Sequence, residues 1–182
     1  DHNNFDNLNI NENILKGIYL YGFKKPSSIQ IKGISSISTG KDCILQSQSG
    51  TGKTATYLIG ILNNLQNNKK CQVIVLTPTR ELALQVYKVA CSLTRYSSHK
   101  VSLVIGGTNI NELKEQLINT NLVIGTLGRV NHMIQNKKIN MDDVNMLVID
   151  EADNMLVEGV SDDLEKIFNK MIPTSQKILI SA

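Results

Sequence analysis

The chain contains no tryptophan, and aromatic residues of all kinds make up 4% of its 182 positions. It therefore lacks the run of stacking platforms on which single-strand-binding proteins hold successive bases. Cysteine is scarce as well: Cys43, Cys71 and Cys91 are widely spaced, without a CxxC pair or a Cys/His grouping. That excludes a zinc knuckle and a disulfide framework, and points to reduced, buried thiols in an intracellular protein, cytoplasmic or nuclear. No stretch approaches 18 continuous apolar residues, and the opening DHNNFDNLNINEN is polar, so neither a membrane span nor a signal peptide is expected. An excess of one charge is also missing, since 19 Lys and Arg face 16 Asp and Glu for a net of +3. A basic carpet for nucleic acid is thus excluded. Any such binding has to rest on backbone amides and a few placed side chains.

What is present suffices for one core. Area scaling gives roughly 29,000 Å² for the unfolded chain and roughly 8,700 Å² folded, so about 70% of the surface can be buried. With 41% apolar residues the chain is neither disordered nor collagen-like. Short β-branched apolar runs alternate with longer amphipathic ones. DCILQSQ (42–48), QVIVLTP (72–78), VSLVIGG (101–107), NLVIGT (121–126), MLVIDEAD (146–153) and KILISA (177–182) read as strands buried on both faces. Between them TATYLIGILNNL, ELALQVYKVACSL, INELKEQLIN, RVNHMIQNKK and DDLEKIFNKMI carry apolar residues at helical spacing. Two further helices precede the first strand, ENILKGIYLYG and SSIQIKGISSIST, the latter opened by Pro26 and a Ser cap. The alternation predicts right-handed βαβ crossovers and a parallel sheet sandwiched by α-helices. Asparagine clusters at 3–13 and 63–68 read as solvated loops and helix ends.

Two motifs carry the chemistry. Ser49-Gly50-Thr51-Gly52-Lys53-Thr54 follows a predicted strand and opens a predicted helix. The strict GxxxxGK[ST] pattern asks for glycine at 47, where Ser47 stands. Even so, Gly50 and Gly52 allow backbone N–H groups to turn around an anion at a helix N-terminus. Lys53 can reach the β- and γ-phosphates of a nucleotide, and the Thr54 hydroxyl can ligate Mg²⁺. The second motif, Met146-Leu147-Val148-Ile149-Asp150-Glu151, delivers an acid pair to the carboxyl edge of the sheet, where open α/β folds bind ligands. Asp150 suits Mg²⁺ through a coordinated water, and Glu151 could orient and deprotonate the attacking water. Together they indicate an NTP hydrolase. Guanine selection is unsupported, because none of the Asn-Lys pairs (68–69, 136–137, 169–170) is followed by the aspartate of an NKxD motif.

The ordered motifs identify a resemblance. Asp150-Glu151-Ala152-Asp153, Gly22 through Gln30 with Phe5 upstream, Pro78-Thr79-Arg80-Glu81-Leu82-Ala83, Gly106-Gly107, Thr126-Leu127-Gly128-Arg129 and Ser181-Ala182 stand in the order found in DEAD-box RNA helicases. The chain resembles the first RecA-like domain of that family, a P-loop NTPase domain, and its N-terminal region looks most like the translation initiation factor 4A subfamily. The resemblance implies a Q-motif region at 1–40 packed on the core, a RecA-like domain at 41–182, and a second RecA-like domain absent from this chain. It assigns Phe23, Lys25 and Gln30 to adenine and ribose, and Gly50, Thr51, Gly52, Lys53, Thr54 and Ala55 to the phosphates. An amide at Gln30 can accept from adenine N6 and donate to N7, whereas guanine offers only acceptors there.

For RNA the resemblance assigns Thr79, Arg80, Gly106, Gly107, Thr126, Gly128 and Arg129 to the backbone of a single strand, without base readout. It places Asp153 and Ser181 in the coupling between the two functions. The implied activity is ATP hydrolysis with Mg²⁺, nearly absent without the second domain. RNA, that domain, and translation or RNA-processing factors are the implied partners. The alternative within the same subfamily is an ATP-gated RNA clamp acting as a scaffold. A DNA-translocating relative is disfavoured by the Q motif and by Ala152. Two positions depart from the pattern: Leu127 replaces the usual proline, so an altered loop geometry is expected, and Ser47 replaces an alanine. Because Ser181-Ala182 stops within a Ser-Ala-Thr motif, the chain is expected to be a fragment carrying half of the active cleft.

Overall fold

The computed structural model describes residues 4–46 and 52–182. Six strands form one sheet: β1 (Cys43–Gln46), β2 (Val73–Thr77), β3 (Val101–Val104), β4 (Leu122–Thr126), β5 (Met146–Ile149) and β6 (Gln176–Ser181). They lie in the order β1-β6-β5-β2-β4-β3, every pair parallel. Parallel neighbours require crossovers, and helices supply them: α3 (Lys53–Asn64), α4 (Arg80–Leu93), α5 (Ile110–Gln116), α6 (Leu127–Gln135) and the pair α7 (Ala152–Met155) and α8 (Asp162–Lys170). Ahead of the sheet come a short 3₁₀ turn (Phe5–Leu8), α1 (Glu12–Tyr21) and α2 (Ser28–Ser38).

The central strands show why no polar alternation is visible in their sequences. Val73 and Val75 of β2 join one core, with α1, α3 and α4, while Ile74 and Leu76 join the other, with α6 and α8. Successive side chains point to opposite faces, and here both faces are dry. The sheet is thus sandwiched by helices, but the cover thins toward its edges. Strand β1 alternates between half-buried and exposed, with Ile44 65% exposed, and β3 and β6 are buried at every second residue.

Three details differ from the sequence reading. The run MLVIDEAD is strand only to Ile149. Glu151 adopts a left-handed backbone (φ 48°, ψ 49°), which ends the extended path and starts the turn of α7. Of the three free thiols only Cys71 is buried, whereas Cys43 is half-buried and Cys91 lies on an exposed face of α4. The asparagines are more than solvated filler. Asn63 at the end of α3 accepts from Asn11 N (2.7 Å) and donates to Asn9 O (3.1 Å), and so fastens the N-terminal arm to the core. Phe5 on that arm is fully buried. The region before β1 therefore packs into the same apolar cluster as the sheet.

Candidate functional site

With all strands parallel, their carboxyl ends fall on one edge, and the motif residues follow directly from those ends. Gly52 is the N-cap of α3 with φ +78°, a conformation that strains any other residue. Lys53 is the first residue of the helix, and its Nζ donates to Ser181 O at the tip of β6 (3.2 Å). Thr54 follows half-exposed, while Ala55 is buried in the core and supports the helix start. Gly50 and Thr51 lie outside the described residues, as does Ser47.

Across from α3, Asp150 caps the end of β5 and is buried. Its Oδ2 accepts from Tyr57 Oη at 2.7 Å, and its Oδ1 accepts from Glu151 N at 2.8 Å. Burial pushes the Asp150 carboxyl up from its ordinary value; the Tyr57 and Glu151 donors and the Lys53 charge pull it back. The Tyr57 hydroxyl is driven well up by complete burial and by the adjacent carboxylate, and so stays a protonated donor. Glu151 is held in its left-handed conformation, a strain of about 1–3 kcal/mol, by that backbone bond. Its Oε2 accepts from Asn154 Nδ2 at 3.1 Å. Gly52, Lys53, Thr54, Asp150, Glu151, Asp153, Asn154 and Ser181 line one cleft of ≈ 450 Å³. Its oxygen donors, a hydroxyl and a carboxylate, suit a hard cation such as Mg²⁺, which takes one or two protein ligands and completes its shell with phosphate and water. Asp153 and Ser181 share this cleft, and the Ser181 atom engaged there is its carbonyl, with Lys53.

A second cleft opens beside the first and is lined by Phe23, Lys25, Pro26, Ser27, Ile29, Gln30 and Gly52. Gln30 is buried and serves two purposes. Ser27 Oγ accepts from Gln30 N (3.2 Å) while Gln30 Oε1 accepts from Ser27 N (2.9 Å), a reciprocal capping box that starts α2. The carbonyl oxygen keeps a second lone pair, and the Nε2 group faces Gly52, where a Cβ would lie 2.9 Å from it. Phe23 is half-buried between Phe5, edge-on at 6.4 Å, and Tyr21, stacked at 5.2 Å. Lys25 is exposed at the rim.

The other residues singled out in the sequence collect farther along the same edge. Thr79 caps α4, its hydroxyl accepting from Leu82 N at 3.1 Å, and Arg80 begins the helix. The Arg80 guanidinium lies over the turn after β3: a Cβ on Gly107 (φ +88°) would sit 3.0 Å from Arg80 Nη2. Arg129 approaches the same turn from α6, with Nη2 4.0 Å from a Cβ placed on Gly106. Among the described residues Arg80 makes no ion pair, and the salt bridge found there joins Lys70 and Asp143. Thr126 caps α6 without using its hydroxyl, and Gly128 presents open space in the first turn. Leu127 is the first residue of α6, a position that proline also fills readily, so β4 passes into α6 directly. Sequence reasoning missed Tyr57 and Asn154. A signal for Tyr57 existed, since it stands three residues after Thr54 and hence on the same helix face.

Comparison with known proteins places the chain in a family. The DEAD/DEAH box helicase family model matches residues 27–182. The chain is 44% identical over 179 residues to the ATP-dependent RNA helicase eIF4A of Candida glabrata, covering 98% of the chain and 45% of that relative. It is 43% identical to eukaryotic initiation factor 4A of Drosophila melanogaster, covering all of the chain and 45% of the relative. Among solved structures, a DEAD box protein from the hyperthermophile Methanococcus jannaschii superposes with a TM-score of 0.91 at 37% identity, covering 99% of this chain and 50% of that one. Dbp5 of S. cerevisiae bound to RNA and ADP BeF3 does so with a TM-score of 0.91 at 32% identity, covering 99% and 46%. The chain thus spans about half the length of the relatives it matches. Its parallel sheet is that of a RecA-like domain, and from fold, motif order and relatives alike the chain belongs to the DEAD/DEAH box helicase family.

Proposed function

We propose that this chain is the first, nucleotide-holding domain of an ATP-dependent RNA helicase of the initiation factor 4A type. The observation that carries the reading is one edge with two adjoining clefts and a flanking arginine pair. Gln30, Phe23 and Lys25 would take the adenosine, and Gly50 through Ala55 the phosphates. Thr54, and Asp150 through a coordinated water, would hold Mg²⁺, which supplies charge neutralisation of the phosphates. Lys53 would balance the γ-phosphate charge, and Glu151 would orient the attacking water. Arg80 and Arg129 around Gly106-Gly107, with Thr79, Thr126 and Gly128, would hold the phosphates and 2′-hydroxyls of a single RNA strand. Asp153 and Ser181 would couple the two sites across the shared cleft. Residues 1–40 would act as the adenine-reading layer on the RecA-like unit 41–182, with a second such unit completing the site.

Arginines reaching the γ-phosphate from outside a domain are worth about 10³–10⁵ in rate. This chain alone is therefore expected to bind ATP and ADP and to hydrolyse ATP very slowly, with little response to RNA. Steady-state phosphate release with and without poly(U) tests this. RNA-stimulated turnover by these 182 residues, lost in Glu151→Gln, would refute the requirement for a second domain.

A further inference from the structure

Helix α3 does more at this site than present its N-terminus. Thr54 and Tyr57 stand three residues apart on one face, and Tyr57 is wholly buried, 93 residues in sequence from the carboxylate it reaches. Its hydroxyl donates to Asp150 Oδ2 at 2.7 Å, from the helix face that it shares with Thr54. The second carboxylate oxygen, Oδ1, is taken up by Glu151 N. Asp150 is thereby fixed from both sides, by the backbone of its own turn and by a phenol delivered from the opposite wall of the cleft. A phenylalanine would fill the same volume, so the hydroxyl is the group that needs an explanation.

We propose that Tyr57 is a positioning residue for the divalent cation, its hydroxyl locking the Asp150 carboxylate in place across the cleft from Thr54. The proposal rests on the reading of Thr54 and Asp150 as the cation's holders. Without the phenol, Asp150 keeps its charge but loses one of two anchors, and rotation of its carboxylate competes with cation binding. Partners that orient metal ligands in this way are worth about 10–100-fold in metal affinity when removed.

The test uses this chain and a fluorescent ADP analogue, titrated once in excess EDTA and once in saturating Mg²⁺. The ratio of the two dissociation constants reads the contribution of the cation alone. In Tyr57→Phe, and independently in Tyr57→Met should either variant fold poorly, the Mg²⁺-induced tightening is expected to fall about tenfold or more. The affinity in EDTA should stay within twofold. Equal weakening in EDTA and in Mg²⁺ would mean a merely structural role and overturn the proposal, as would an unchanged ratio. A wild-type chain that binds ADP without any Mg²⁺ effect would overturn the Thr54–Asp150 reading itself. A wild-type effect that survives both variants overturns only the role of Tyr57.

Discussion

Gly17→Ala sets two well-known effects against each other. Gly17 lies in the middle of α1, where alanine is favoured over glycine by about 0.8–1 kcal/mol from helix propensity. The packing opposes it. A Cβ at residue 17 would sit 2.2 Å from Leu93 O and 2.8 Å from Leu93 C, at the end of α4. Carbon–oxygen contacts settle at roughly 3.3 Å, so α1 has to retreat by about 1 Å. The obstacle is backbone in a helix end and cannot rotate away. Retreat loosens Ile14 and Ile18, buried at 1% and 0% exposure on either side of Gly17, each worth about 1.5–3 kcal/mol when fully buried. Overpacking of this kind costs about 1–3 kcal/mol, which outweighs the propensity gain. A net loss of up to about 2 kcal/mol is expected from these two ranges. With no tryptophan in the chain, urea unfolding followed by far-UV circular dichroism is the suitable assay. A midpoint equal to or above wild type, at unchanged slope, would refute the reasoning.

Gly128→Ala is the opposite case: nothing lies within 4 Å of its Cβ, so stability should hold or rise by up to about 1 kcal/mol. Any loss of RNA affinity in filter binding then reports on the RNA contact; a drop in melting temperature would contradict the open geometry. Thiol titration at pH 8 should show Cys91 reacting first, Cys43 slowly, and Cys71, buried and pushed up to about 12, only on unfolding. Simultaneous reaction of all three would disprove the burial pattern. Asp150 is raised on folding, mainly by burial, so the folded state holds its proton more tightly than the unfolded one. Its contribution to stability is therefore present at low pH and lost as pH rises from the ordinary aspartate range through the higher folded value. The stability of Asp150→Asn relative to wild type should climb over that window and then level off in pH-dependent urea midpoints. A flat difference would show that Asp150 titrates as it does unfolded.

Features decided by neighbours in sequence were legible beforehand. Gly52-Lys53-Thr54 had to be a strand-to-helix turn, and Ser27 three residues before Gln30 had to be a cap. Double burial of β2 was readable because all five of its residues are apolar or small enough to pack. Features decided by distant partners were not. That β1 lies beside β6, and so brings Lys53 to Ser181, depends on crossovers the sequence leaves open. The bond from Tyr57 to Asp150 is not legible because the two lie 93 residues apart. The end of β5 is not legible because Asp150 N still extends the ladder to Leu76 O while Glu151 turns left-handed, a backbone change that the residue types do not announce. Thiol burial is overstated for Cys91, which faces outward from α4 although Ala90 beside it is fully buried.

The ladder between β2 and β5 runs from Val73 opposite Met146 to Leu76 opposite Ile149, and Asp150 N extends it by donating to Leu76 O at 2.9 Å. Four residues after that carbonyl comes Arg80, and one residue after that amide comes Glu151. Under the proposed function, the two chemistries would thus hang from neighbouring pegs of a single frame. Backbone hydrogen bonds fix the spacing of those pegs, so a signal of the nucleotide's state would pass through side chains in the cleft, or as a turn of the whole frame, rather than as a stretch between them.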